Sequence, residues 1–328
     1  MQNAMTTNHT TNRAKAAFLL AICGIVLAVE GRADGDFDKA LKEGATACLT
    51  IRVVDDEGSP VQDATIEARF DAAFNAPGSV GTFLTDTNGI ARVSGRTGKA
   101  LSFRASKDGH YGAGGEACYV SMGQGVKDGR WLPFDLERMI VLRRIRNPVA
   151  DMPRVSGPRY TKNMGMWMGF DLAKYDFVAP NGNGHCADME VKFDWDGQRG
   201  VNFNGMEVCV RFVEPYSGAY YQDRVMMSDF KEAYFALTNG MYRKEFNFYS
   251  RPVRDDGGHM LKRDQKLFDP EKALIIRSRC VIDSEGTLKQ ANYSEVADLT
   301  FGCGSRGAWI MFQPIFNPLP NDTNLEPK

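Results

Sequence analysis

The chain has 328 residues, enough for two folding units, and its 43% hydrophobic and 25% charged content is that of a folded globular protein rather than a disordered one. A formal net charge of −1 excludes a general nucleic-acid binder, which would carry a strong positive excess. The 33 glycines and 11% aromatic residues suit many short strands joined by tight turns.

In chain order, residues 1–33 read as an export signal. Arg13 and Lys15 are basic, residues 16–29 form an apolar run, and Gly31-Arg32-Ala33 supplies small residues for cleavage after Ala33. The run is shorter than the ~20 residues of a bilayer span. An uncleaved anchor is the rival reading. A lipid on Cys23 is disfavoured by the large Ile22 before it. The mature chain is then exported (periplasmic, cell-surface or extracellular), with no membrane span after cleavage. Residues 34–46 read as a linker.

Strands and turns follow. Leu49-Thr50-Ile51-Arg52-Val53 alternates apolar and polar residues, a half-buried strand. Gly58 and Pro60 punctuate a reversal, residues 61–68 resume as strand, and Asp86-Thr87-Asn88-Gly89 reads as a hairpin turn. Leu101-Ser102-Phe103-Arg104-Ala105 is a further strand, closed by Asp108-Gly109. The ordered pieces Val54-Asp55-Asp56-Glu57-Gly58-Ser59-Pro60-Val61, Thr85-Asp86-Thr87-Asn88-Gly89 and Lys107-Asp108-Gly109-His110-Tyr111 resemble the carboxypeptidase regulatory-like (transthyretin-like) domain. The resemblance covers residues 47–146 and implies a seven-stranded immunoglobulin-like sandwich. It implies no reaction, because that module is a non-catalytic appendage.

Pro148, Pro153 and Pro158 space out residues 147–160 as a stiffened linker. Residues 161–328 read as a second β-sandwich. Strands are expected at 187–193, 207–212, 273–282, 288–293 and 308–315, with one short helix at 228–237. Phe170-Asp171-Leu172, Ile276-Arg277-Ser278-Arg279, Ala291-Asn292-Tyr293 and the closing stretch from Asn317 to Glu326 are similar to pieces of uncharacterised exported bacterial proteins that pair the module with a β domain. No activity transfers with that likeness.

Six cysteines remain after the signal, and an even number in an exported chain predicts disulfides. Cys48 and Cys118 are the only two in the first unit. Cys186, Cys209, Cys280 and Cys303 fall in the second, and Asp196-Gly197 midway between Cys186 and Cys209 would set those two opposite each other in a hairpin. No C-x-x-C occurs, so zinc is not expected.

No H-x-x-E pair, H-E-x-x-H, G-x-S-x-G or P-loop is present. His185 beside Cys186 and Asp188 reads as structural. Asp194-Trp195-Asp196-Gly197 and Asp283-Ser284-Glu285-Gly286 space acidic oxygens as calcium loops do, but lack the remaining ligands, so no cofactor is expected and calcium is the minor alternative. Trp195, Tyr216, Tyr220 and Tyr221 lie in turn-rich sequence and are the candidate sugar-stacking residues, whereas Trp309, in an apolar run, reads as core. The chain therefore reads as a non-enzymatic structural or binding protein with an envelope protein or glycan as partner. The alternatives are a carbohydrate-binding accessory protein and a hydrolase with an unrecognised site.

Overall fold

The computed structural model describes residues 34–150, 152, 155–195, 205–256 and 258–328, so residues 1–33, where an export signal is expected, lie outside the described residues. The first unit comprises α1 (Asp34–Glu43), β1 (Ala45–Val54), β2 (Thr65–Phe70), β3 (Ser79–Leu84), β4 (Ile90–Thr97), β5 (Ala100–Ser106), β6 (Ala113–Cys118), α2 (Tyr119–Met122), the two-residue strands β7 (Val126–Lys127) and β8 (Arg130–Trp131), and β9 (Leu136–Val141). One sheet has the order β4-β1-β8-β7, with β9 pairing parallel to β1; the other has the order β3-β2-β5-β6. Apart from the short β7–β8 hairpin, seven strands enclose one core. Trp131, fully buried, packs against Phe37 of α1 and Tyr119 of α2 and donates its indole N–H to the Thr97 carbonyl (2.8 Å).

Residues 34–43 form a helix rather than a linker. Phe37, Ala40 and Leu41 stand at i, i+3 and i+4, one helical face, and pack on the core of the first unit.

The second unit comprises β10 (Arg159–Thr161), β11 (Met168–Asp171), β12 (Asp176–Phe177), β13 (Met189–Trp195), β14 (Met206–Arg211), β15 (Gly218–Asp223), β16 (Glu245–Arg254), β17 (Met260–Lys266), β18 (Lys272–Ile282), β19 (Leu288–Gly304) and β20 (Gly307–Phe316). A five-stranded sheet, β10-β20-β19-β18-β15, faces a six-stranded one, β12-β11-β13-β14-β16-β17. The core between them is aromatic: Phe170, Tyr175, Phe177, Phe193, Phe248 and Phe312 are all fully buried. Among the described residues no helix is long and apolar enough to cross a membrane.

Among the described residues one turn recurs four times. In Asp55–Ser59, Asp86–Ile90, Asp255–His259 and Asp283–Thr287 the first Asp accepts the backbone N–H four residues on, at 2.9, 2.8, 2.7 and 2.8 Å. The glycine at the fourth position, among them Gly58, Gly89, Gly258 and Gly286, has φ between +71° and +83°. Gly89 is fixed twice over, since a Cβ there would lie 2.3 Å from the Val53 carbonyl oxygen. The Asp86 turn joins β3 to β4, which lie in different sheets, so it carries the chain across the sandwich instead of closing a two-stranded ribbon.

Residues 228–237 are not helical. Their backbone donors go elsewhere: Ala233 N–H to the Glu295 carboxylate and Ala236 N–H to the Thr323 carbonyl. The segment lies over the outer face of the five-stranded sheet, where Ala236 joins Ile275, Ala291, Tyr293 and Leu325 in a small second core.

The expected disulfides are absent, and strand parity explains the first of them. The residues of β1 that face the core are Ala45, Ala47, Leu49, Ile51 and Val53, so Cys48 points to the opposite side. There its thiol donates to Asp135 Oδ1 (3.4 Å) and accepts from Arg92 Nε (3.3 Å), while Cys118 ends a strand of the other sheet. Cys209 pairs across the ladder with Lys192 rather than Cys186, in the register that sets Trp195 opposite Met206. Cys186, Cys280 and Cys303 are likewise unpaired. Burial pushes the thiols of Cys48, Cys186 and Cys209 up, and that of Cys280 to about 11. Alkylation of the unfolded, unreduced protein should therefore label Cys48, Cys118, Cys186, Cys209, Cys280 and Cys303. Native labelling should be slower at Cys280 than at a solvent-exposed thiol of ordinary pKa. A pair that stays unlabelled after unfolding, read by mass spectrometry, would contradict this arrangement.

Candidate functional site

In the second unit Asp171, Asp188 and Arg279 meet in a cluster of buried charge. Arg279 sits at an irregularity in the β18–β19 register with φ +52°. It grips Asp188 with two parallel bonds, Nε to Oδ1 at 2.8 Å and Nη2 to Oδ2 at 2.9 Å, and reaches Asp171 Oδ1 at 3.0 Å. Ser278 Oγ and Leu172 N–H complete Asp188 at 2.7 and 2.8 Å. Asp171 also accepts the backbone N–H groups of Lys174, His185 and Cys186. Burial raises the Asp171 pKa, but those N–H groups and Arg279 outweigh it and hold the carboxyl below its usual range. Every carboxylate oxygen here has its donors, so the cluster ties the two sheets together and leaves no group available for proton transfer. His185 is exposed and contributes only its backbone.

A buried polar atom without a partner occurs at the end of β13. There Asp194, Trp195, Gly205, Met206, Glu207 and Arg251 line a cleft of about 280 Å³. The alternation of β13 explains the position of Trp195. Met189, Val191 and Phe193 face the core, and Trp195 is the next residue on that face, where the core ends. It is half-buried, and its indole Nε1 is buried without a hydrogen-bond partner. On the opposite face of the sheet two charged pairs border the cleft: Lys192 with Asp194 (2.6 Å), and Arg251 with Glu207. Glu207 and Arg251 did not stand out in the sequence; the signal was the charge at alternate positions of β14 and β16.

The tyrosines do not share one surface. Residues 218–223 form a strand rather than a loop, so Tyr220 and Tyr221 turn to opposite faces. Tyr220 stacks edge-on against Tyr242 at 5.2 Å and accepts the Leu237 N–H at 2.8 Å. Tyr221 packs on Phe246 and Phe268 at 5.5 and 6.1 Å. Tyr216 has φ +60° and donates its hydroxyl to the Gly286 carbonyl at 2.7 Å.

Of the calcium-like stretches, Asp283 is occupied in its own turn and by Lys289 (2.9 Å), while Asp196-Gly197 lies outside the described residues. Among the described residues no group of three or more His, Cys, Asp or Glu side chains is arranged to hold a metal ion.

No family model and no curated protein matches the chain. Among solved structures, it is similar to 3-chlorocatechol 1,2-dioxygenase from Rhodococcus opacus 1CP, with 13% identity over 32% of this chain and 62% of that one, at a TM-score of 0.26. It is also similar to a streptococcal ancillary pilin, with 12% identity over 70% and 60% and a TM-score of 0.22. A third is a DUF3823 family protein from Parabacteroides merdae, with 7% identity over 84% and 99% and a TM-score of 0.20. The chain spans less than two thirds of the dioxygenase's length. Likenesses at these scores assign neither an activity nor a partner.

Proposed function

We propose that this protein is a non-enzymatic binding protein of the cell envelope or secreted space, and that the Trp195 cleft holds a glycan. Export rests on the basic and apolar pattern of residues 1–33. Glycan binding rests on one observation: a half-buried tryptophan with an unpaired indole N–H opens into a cleft flanked by two carboxylates and an arginine. A sugar ring supplies what those groups lack. Its C–H face stacks on the indole, its ring or hydroxyl oxygens accept the N–H, and its hydroxyls donate to Asp194 and Glu207. The Asp171–Asp188–Arg279 cluster, by contrast, serves the fold.

A glycan array on the full chain tests this reading. Trp195→Ala should weaken the retained glycan by about 10- to 100-fold, the equivalent of the ~1.5–3 kcal/mol of aromatic burial lost. Trp195→Phe should keep part of the affinity. Equal binding by Trp195→Ala, or an empty array together with turnover of a peptide or sugar substrate, would overturn the proposal.

A further inference from the structure

A second cavity, of about 200 Å³, lies on the outer face of the five-stranded sheet beneath the segment at 228–237. Val155, Ala297, Pro314 and Ile315 give it apolar walls, and Ser156, Gln313, Glu232 and Glu295 give it polar ones. Glu295 is 1% exposed and stands mid-strand in β19. Its Oε2 accepts the Ala233 N–H at 2.9 Å, but its Oε1 has no partner. Glu232 Oε2, on the same cavity, is also buried without one.

The arginines nearby do not close this gap, and Arg143 Nε and Arg224 Nε are themselves buried without a partner. Arg143 Nη1 donates to the carbonyls of Phe230 and Glu232, and Arg224 Nη1 donates to Pro270 O and, with Nη2, to Asp298. Two glutamates thus line one small cavity, each with a buried oxygen that lacks a donor, where buried acceptors are almost always satisfied.

We propose that this cavity binds a small organic ammonium ion, its N–H groups bonded to Glu295 Oε1 and Glu232 Oε2 and its methylenes against Val155, Ala297 and Ile315. A divalent cation fits less well, since calcium takes six to eight oxygens and the cavity offers two carboxylates and two neutral side chains.

The site should respond to pH. Burial first, and Glu232 second, push the Glu295 carboxyl up to about 8, against the Ala233 N–H and the charges of Arg224 and Arg143. The phenol of Tyr220 on β15 faces the same carboxyl, and Asp298 on β19 holds Arg224. Below pH 8 the ligand must displace a proton, so affinity should fall about tenfold per pH unit, while an alkylammonium stays charged to about pH 10.

Calorimetry of the full chain with n-butylammonium chloride tests the proposal, with tetramethylammonium and calcium chlorides as comparisons. The expected result is saturable butylammonium binding that strengthens from pH 6 to 8.5, with about one proton released per ligand at pH 7, read from buffers of different ionisation enthalpy. Glu295→Gln should weaken binding at least tenfold and remove the pH dependence. Glu232→Gln should weaken it while leaving the pH dependence in place, which keeps the test valid if Glu295→Gln fails to fold. Absence of saturable heat would mean the cavity holds only water and would overturn the proposal. Tetramethylammonium binding as tightly, calcium binding more tightly, or unchanged binding by both variants would overturn it as well.

Discussion

Replacing Arg279 with Ala is expected to destabilise the protein by about 3 kcal/mol, because it leaves two buried carboxylates without their cation. The Asp188 side chain is fully buried and that of Asp171 nearly so, at 0% and 3% exposure. Neither can reach water to recover its solvation. Arg279→Lys should rescue only part of the loss, because an ammonium cannot make the paired Nε and Nη2 bonds to Asp188. The sign of the pH dependence follows from Asp171. Its folded-state pKa is depressed, so the stability it contributes is present above the unfolded value, near 4, and is lost as pH falls through the folded one. In the variant the Asp171 carboxyl protonates more readily, so the gap to the wild type should narrow between pH 7 and about pH 4. Urea denaturation across that range measures it. A loss below ~1 kcal/mol at pH 7 would show the cluster to be solvated.

Glu326→Ala should cost a similar amount and expose a new protease site. The carboxylate of Glu326 is fully buried near the chain's end. It accepts the Tyr111 hydroxyl and the Arg146 N–H at 2.9 Å each, and the Asn147 N–H at 2.7 Å. It thereby holds the C-terminal segment, the β5–β6 loop of the first unit and the start of the proline-bearing segment in one place. Val149 adds a hydrogen bond from its N–H to the Glu326 carbonyl (2.8 Å), and Arg146 pairs with Asp56 at 2.7 Å while its guanidinium lies over the Tyr234 ring. Truncation strands two backbone donors and a phenol, each costing about 1–3 kcal/mol when left buried, with some relief from water entry. Trypsin should then cut after Arg146 in the variant and much more slowly in the wild type. Equal cleavage rates would show that Glu326 does not restrain this segment.

The all-β architecture was legible because period-2 alternation and Asp/Gly turns are local signals. Residues 273–282 and 308–315 are strands in the folded protein, as β18 and β20. The D-x-x-G-x turns look like calcium loops in sequence, since both devices put carboxylate oxygens beside a glycine; only the destination of the N–H groups tells them apart. Residues 228–237 have ordinary helical composition. Their conformation is set by the Glu295 carboxylate and the C-terminal segment, more than sixty residues away in sequence, and no local pattern carries that. The cysteines mislead for a related reason. Their even number suggested pairs, but parity along β1 turns Cys48 away from the opposing sheet.

The quoted pieces of the second unit were informative in a way their spacing did not disclose. Asp171 of the first is bonded to Arg279 of the second. Asn292 of the third donates to the Asn317 carbonyl of the last at 3.0 Å. They are fastenings of the fold. Trp195 was identifiable as an aromatic beside a turn, whereas Glu207 and Arg251 reach its cleft only through strand pairing.

Indole N–H resonances provide the most direct test of the binding proposal. The chain has four tryptophans, hence four such signals, and that of Trp195 comes from a buried N–H without a hydrogen-bond acceptor. Titration with the oligosaccharide retained on the array should shift the Trp195 signal saturably, as a new hydrogen bond forms, and leave that of the buried Trp131 in place. A shift confined to tryptophans other than Trp195, or no shift at a concentration where the array shows retention, would contradict the assignment of the cleft.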